Sequence, residues 1–245
     1  MGSEGSPMAM AAADEVEWKR VAQMRTLVED QDPSAKEEDN LMFRRFLRAR
    51  NQDIEKASVL FLKYLKWRRE TVPNGFISES EIQNELAQKK AFIQGYDKIG
   101  RPIGVVIGNK HYKNDLNENK RFVVYLIDSL CLRMQRGQEK FTIIVDLEGW
   151  GYKNCDIRGY LAALDILQSN YPERLGKVFL VHTPYIFMKA WKIIYPFIDD
   201  NSKKKFIFVD DTKLKATLLE DIAEDQLPEK FGGKLKLVPI EEAGN

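Results

Sequence analysis

Apolar positions recur at three- and four-residue spacing through Leu41, Met42, Phe46 and Leu47, and again through Ile54, Ala57, Phe61, Tyr64 and Leu65. Each series follows an aspartate, Asp39 or Asp53, whose carboxylate can accept from the free N–H groups of a first helical turn. The pattern therefore predicts two capped helices, the second ended by Pro73-Asn74-Gly75. Residues 1–13 offer little to bury and are expected to stay mobile, with a helical bundle over 14–75.

Past a polar helix expected around Ser80 to Lys89, the period shortens. Ala91-Phe92-Ile93 and Ile103-Gly104-Val105-Val106-Ile107 flank Asp97-Lys98-Ile99-Gly100-Arg101, which predicts a hairpin. The runs Phe141 to Val145, Val178 to Val181 and Phe206 to Val209 alternate with helical patterns across Lys120 to Arg136, near Ile157 to Ser169, and over 185–198. Short β-rich runs alternating with helices imply parallel strands covered on at least one face, an α/β layer architecture. It occupies 76–236, with 237–245 as a tail.

Residues 185–198 stand out. Phe187, Trp191, Ile194 and Ile198 share one helical face, Met188 and Tyr195 widen it, and Lys189 and Lys192 mark a basic edge. Thr183-Pro184 supplies a cap and a first-turn proline. The segment reads either as a core helix with snorkelling lysines or as a movable wall over a lipid cavity.

Charge adds little at long range: 38 basic and 37 acidic residues leave a net charge of +1, without the field of a general nucleic-acid binder. Locally, residues 189–205 hold five lysines and two aspartates, an excess suited to anionic headgroups. Cys131 and Cys155 fit neither a disulfide framework nor zinc spacing, and His111 and His182 add no structural metal set. With no apolar run of spanning length and no signal pattern, a cytoplasmic protein is expected.

Familiar catalytic constellations are missing. No Gly-x-Ser-x-Gly elbow, Walker loop or Gly-x-Gly-x-x-Gly turn occurs. A cysteine phosphatase loop needs an arginine six residues after the cysteine, where Gly137 and Leu161 stand. His182 reads as a satisfied group at a strand end or as a general base.

Phe43-Arg44-Arg45-Phe46-Leu47-Arg48-Ala49-Arg50, Lys66-Trp67-Arg68, Asp97 to Pro102, Asn170 to Lys177 and Leu227 to Gly233 form an ordered series across about residues 40–235. Together they resemble the CRAL-TRIO family, most closely its Sec-fourteen-like phosphatidylinositol transfer proteins. The resemblance implies a small N-terminal helical bundle, then a mixed, mostly parallel sheet flooring an apolar lipid pocket under a gate helix, with 185–198 as the gate. It implies a phosphatidylinositol headgroup site at Arg68, Glu173, Ser202 and Lys205, where the family commonly has Thr in place of Ser202. A phosphodiester and a ring of hydroxyls need cationic donors and an acceptor, which these residue types supply. Taken singly, each also fits an ordinary surface role.

The expected function is a non-enzymatic carrier of one phosphatidylinositol, with phospholipid as ligand and no cofactor or metal. Its partners would be a transient membrane surface and a phosphoinositide kinase, with no nucleic acid, and the protein would be a monomer. The alternatives are a CRAL-TRIO carrier of a terpenoid or retinoid-like hydrophobe, and a lipid-ester hydrolase. Family members that also carry phosphatidylcholine tend to have small hydroxyl residues after the strand-ending Asp-Leu-x-Gly. Here Asp146 to Gly149 is followed by Trp150, Gly151, Tyr152 and Lys153. Gly151 lacks a hydroxyl, Lys153 would repel choline if it pointed inward, and Trp150 and Tyr152 could attract it. Gly2 also satisfies the short myristoylation pattern.

Overall fold

Asp39 accepts from the Met42 amide at 2.6 Å and Asp53 from Lys56 at 3.0 Å, so both caps form as the sequence spacing requires. The computed structural model describes residues 7–242, with side chains from Ala13 onward, and its contacts divide the chain after Pro73. The Gly2 pattern and residues 1–6 and 243–245 lie outside the described residues. Residues 7–13, expected to stay outside the fold, instead continue the first helix.

The first unit consists of α1 (Pro7–Gln31), α2 (Asn40–Arg48) and α3 (Ile54–Thr71). Its core holds Met24, Val28, Phe43, Phe46, Leu47 and Phe61, with Phe43 stacked on Phe61 at 4.2 Å between ring centres. The arginines interleaved with that apolar face have a partner. Glu17 on α1, 9% exposed, accepts from Arg44 and Arg48 at 2.6 Å and from Gln52 at 2.7 Å. Burial pushes the Glu17 carboxyl up, but the bonds from Arg48, Arg44 and Gln52, with the Arg48 charge, outweigh it and hold it at about 2.

The second unit is a five-stranded sheet in the order β1 (Ala91–Tyr96), β2 (Pro102–Ile107), β3 (Phe141–Asp146), β4 (Leu175–Val181), β5 (Phe206–Phe208). β1 runs antiparallel to β2 and every other neighbouring pair is parallel. Because strand order follows chain order, crossovers of one hand put the connecting helices on one face. These are α5 (Leu116–Leu132), α6 (Ile157–Asn170), and α7 (Phe187–Ile194) with α8 (Asp200–Lys203). α4 (Gln83–Leu86) precedes β1, shorter than the polar helix expected there, and α9 (Leu214–Asp221) follows β5.

The strands alternate, apart from register shifts between Ile93 and Tyr96 and at Phe141–Thr142. Ile103, Val105, Ile107, Ile144, Phe179 and Val181 pack in one core with Leu218, Ile222, Leu227 and Phe231. Val106, Ile143, Val145, Val178 and Leu180 face the other way, toward α5, α6 and α7. Gly104 belongs to that second face, where an added Cβ would come within 2.8 Å of Ile143 and 3.3 Å of Leu130. Its missing side chain lets α5 close down on the sheet.

Other family-like motifs brace the fold. Asp97 accepts from the Ile99 and Arg101 amides, pairs with the Arg101 side chain, and accepts from Thr142 at 2.9 Å. Gly233 lies so close to the Leu227 carbonyl that no side chain fits. Residues 237–242 run back along β1: the Val238 amide donates to Gln94 at 2.6 Å and Lys89 pairs with Glu242 at 2.7 Å.

Candidate functional site

Between the sheet and α5, α6 and α7 lies a cavity of about 310 Å³, within the range of small-molecule sites. Its floor is the Val106, Ile143, Val145 and Leu180 face. Its roof includes Phe187, Trp191, Ile194 and Ile198, the four residues singled out on the 185–198 face. Trp191 fixes this roof against the sheet edge, 5.2 Å from the rings of both Phe206 and Phe208. Phe187 meets Trp150 edge to face at 5.2 Å.

The local geometry of the roof departs from expectation in two ways. Thr183 does not cap α7; the chain turns once through Pro184 to Ile186, and Ile186 takes the cap position with no side-chain bond. Met188 and Tyr195 do not reach the cavity; Tyr195 is 43% exposed, where the helix tightens into a 3₁₀ turn over Tyr195–Phe197. Lys189 and Lys192 are exposed, with Ile193 and Phe197 beside them.

At the N-terminal edge of β3, β4 and β5, three charges meet. Lys140 precedes β3, Glu173 precedes β4 and Lys205 precedes β5, and the parallel pairing brings these positions to one end of the sheet. Glu173 Oε2 lies 3.5 Å from Lys140 Nζ. Burial pushes the Lys205 ammonium down, Glu173 opposes that shift, Lys140 adds to it, and Asp199 opposes it. Glu173 has a left-handed backbone, φ 59°, uncommon for a non-glycine residue. Ser202 stands on α8, its amide held by Asp199 at 2.9 Å, and its carbonyl accepts from the Lys205 amide at 2.9 Å. Glu173, Ser202 and Lys205 thus belong to one unit and one edge. Arg68 stands half-buried in the last turn of α3, in the first unit, where its charge acts on Glu38.

None of Arg68, Lys140, Glu173, Ser202 and Lys205 lines the cavity itself; its polar wall lies toward the other end of the sheet, where the sequence does not signal it. Lys90, His111, Asn119 and Tyr160 line it. Lys90 is 4% exposed and donates to Glu85, to Gln88 at 3.0 Å and to His111 Nδ1 at 2.8 Å. A lysine after a second lysine reads as a solvated loop charge, and only the packing of α4 beside α5 encloses it.

Of the residues after β3, Trp150 lines the cavity, whereas Tyr152 and Lys153 are exposed, with Lys153 over the Tyr112 ring at 5.7 Å. The inward cation considered for Lys153 is therefore absent from the cavity wall, and so is the Tyr152 ring. His182 pairs through Nδ1 with Asp146 at 2.9 Å. Lys230 pairs with Asp146 at 3.0 Å and donates to Glu148 at 2.7 Å, so the chain's own ammonium balances the Asp146, Glu148, His182 group. Among the described residues, no helix is long and apolar enough to cross a membrane.

Comparison with known proteins bears on this cavity. The CRAL/TRIO domain profile matches residues 86–233. The chain is 32% identical to phosphatidylinositol transfer protein CSR1 of Eremothecium gossypii, over 80% of its own length and 47% of that protein. It is 30% identical to the CRAL-TRIO domain-containing protein YKL091C of Saccharomyces cerevisiae, covering 86% and 76% of the two chains. It is 32% identical to the Sec14 cytosolic factor of Schizosaccharomyces pombe, covering 80% and 74%. The chain thus spans about half the length of the first relative and about three-quarters of the other two. The crystal structure of Sfh5 shares the fold, with a TM-score of 0.63 at 20% identity over 83% of this chain and 75% of that one.

Proposed function

The chain belongs to the CRAL/TRIO family, and from that membership we propose that it takes one phosphatidylinositol molecule from a membrane, encloses its acyl chains and releases it elsewhere unchanged. The observation that carries this reading is the apolar cavity between sheet and helices, with Lys140, Glu173 and Lys205 gathered at one end of the sheet that floors it. Acyl chains leaving water for such a cavity gain about 0.8 kcal/mol per methylene. At the charged edge, Lys205 and Lys140 suit the phosphodiester, Glu173 accepts from ring hydroxyls, and Ser202 can do either. Arg68 joins this set through the resemblance alone.

α7 is the proposed gate. Its inner face is cavity wall, while Tyr185, Ile193 and Phe197, 87%, 52% and 59% exposed, stand outside among exposed lysines. An apolar outer face edged with Lys189 and Lys192 suits passing contact with an anionic membrane, and a moving roof provides the exchange route. No bond is made or broken in this cycle.

Vesicles containing labelled phosphatidylinositol test the reading. The protein is expected to extract about one lipid per chain and deliver it to acceptor vesicles. A protein that extracts only uncharged hydrophobes, or that releases fatty acid from the donor vesicles, overturns it.

A further inference from the structure

The loops that follow β2 and β3 lead into α5 and α6, and together they enclose a second pocket, of about 470 Å³, that shares no lining residue with the apolar cavity. Lys113 and Asn114 stand on one wall; Cys155, Asp156 and Arg158 stand on the other. Two aspartates cap the helices here. Asp115 accepts from the Asn117 and Glu118 amides at 2.9 Å, and Asp156 Oδ1 accepts from the Gly159 amide at 3.1 Å. A first helical turn has more N–H groups than one such cap takes, and in α6 those of Ile157 and Arg158, both at the pocket, remain. They form the positive end of a 14-residue helix. The Lys113 ammonium and the Arg158 guanidinium add two full charges, and among the described residues neither has a hydrogen-bond or ion-pair partner.

One acceptor opposes this positive rim. Asp156 is 8% exposed, and the part left open faces this pocket and not the cavity. Its Oδ2 is not satisfied within the protein: His111 Nε2, 3.5 Å away, is too far for a good bond and is itself without a partner. A carboxylate oxygen so deeply placed is costly to leave unbonded, and a donor arriving through the pocket removes that cost. The pocket thus presents free cations and helical amides for an anion beside an acceptor that repels any anion unable to donate to it.

We propose that this pocket is a ligand site for a phosphorylated polyol: the phosphate accepts from Lys113, Arg158 and the first amides of α6, and a nearby hydroxyl of the same molecule donates to Asp156 Oδ2. Both functions are needed on one molecule. A phosphate ester without a hydroxyl meets the Asp156 charge uncompensated, and a polyol without phosphate leaves both cations unused. The same chemistry occurs in a soluble polyol phosphate and in the glycerol headgroup of a phospholipid. The site lies outside the lipid cavity, and nothing in it depends on the transfer reading.

Cys155 lines the pocket and reports its occupancy, while Cys131 on α5, outside the pocket, is the internal control. Burial pushes the Cys155 thiol up, Lys113 opposes that shift and Asp156 adds to it, so alkylation by iodoacetamide is followed at mildly alkaline pH and read peptide by peptide. sn-Glycerol 3-phosphate is expected to slow alkylation of Cys155 several-fold and to leave Cys131 unchanged. Its half-protecting concentration should lie roughly tenfold below that of methyl phosphate, which has the same phosphate and no hydroxyl, and glycerol should not protect. Asp156→Asn keeps a good helix cap and removes the repelling charge, so the two esters should then protect within about twofold of each other. Arg158→Gln, on an exposed side chain, should weaken protection by both esters several-fold. Phosphatidylcholine vesicles carrying phosphatidylglycerol or phosphatidic acid repeat the comparison at a membrane. Protection by phosphatidylglycerol alone assigns the ligand to a headgroup, and protection by the soluble ester alone assigns it to solution. Protection by neither overturns the inference, as does equal protection by methyl phosphate in the unmodified protein, equal protection by phosphatidic acid, parallel slowing of Cys131, or protection unchanged in Arg158→Gln.

Discussion

Glu173 combines a left-handed backbone with a carboxylate turned to two lysines, and the two properties separate by mutation. Glu173→Ala keeps the strained backbone and removes the acceptor, so it should lower phosphatidylinositol transfer several-fold with little change in the unfolding midpoint. Glu173→Gly should lower transfer equally while raising stability by about 1 kcal/mol, because glycine adopts this φ freely. Lys205→Ala should also lower transfer, and the double substitution should cost less than the two added together if both charges meet one headgroup. Parallel loss of stability and transfer would mark Glu173 and Lys205 as structural. Glu173, Ser202 and Lys205 stand out in the chain only through the family resemblance, since each alone fits an ordinary surface role. That Lys140 joins them is not legible there, because it follows an unremarkable polar loop and is placed only by the parallel pairing of β3 and β4.

α7 shows why an element needs more than its pattern. The three- and four-residue spacing of Phe187, Trp191, Ile194 and Ile198 places one wall of the cavity, and all four residues line it. A charge on that wall must be desolvated whenever the roof is closed. Phe187→Asp and Ile194→Asp should therefore reduce lipid extraction at least tenfold, whereas Lys189→Gln on the exposed edge should change it less than twofold. Equal effects on both faces would undo the assignment of α7 as a gate. The start of the helix is not legible in the sequence, because Thr183-Pro184 has the composition of a cap and first turn. The chain spends that dipeptide on a separate turn after His182, whose left-handed φ of 49° redirects it between β4 and α7.

Two predictions belong to the whole molecule. Glu17 ties α1 to α2 in the first unit, and its carboxyl is held well below its ordinary 4.5, at about 2. A carboxyl depressed on folding adds stability above its unfolded value and loses it as pH falls toward its folded one. Glu17→Gln should therefore cost about 3 kcal/mol near neutral pH and flatten the stability profile between roughly pH 4.5 and 2, as denaturant titrations at several pH values would reveal. The second prediction concerns cargo range. Gly151 offers no hydroxyl, and Tyr152 and Lys153 face away from the cavity. Phosphatidylcholine transfer should thus be weak relative to phosphatidylinositol at one ionic strength, and comparable rates would refute it.

Periodicity alone determined most elements of this protein: the capped α2 and α3, the β1–β2 hairpin and the alternation of strand with helix. Those signals are local, carried by side-chain spacing and by the capping chemistry of single aspartates. Which strand face floors a cavity and which packs under α9 is not local, since both faces read as the same continuous apolar run. Tertiary structure decided that, and with it the fate of the polar residues between elements. Arg44 and Arg48 look like surface charge until α1 brings Glu17 to them. Lys90, His111 and Asp156 are scattered through three loops, and only the crossing of α4, α5 and α6 over the sheet turns them into one buried wall. A buried polar group is defined by its partners, and those come from distant stretches of the chain.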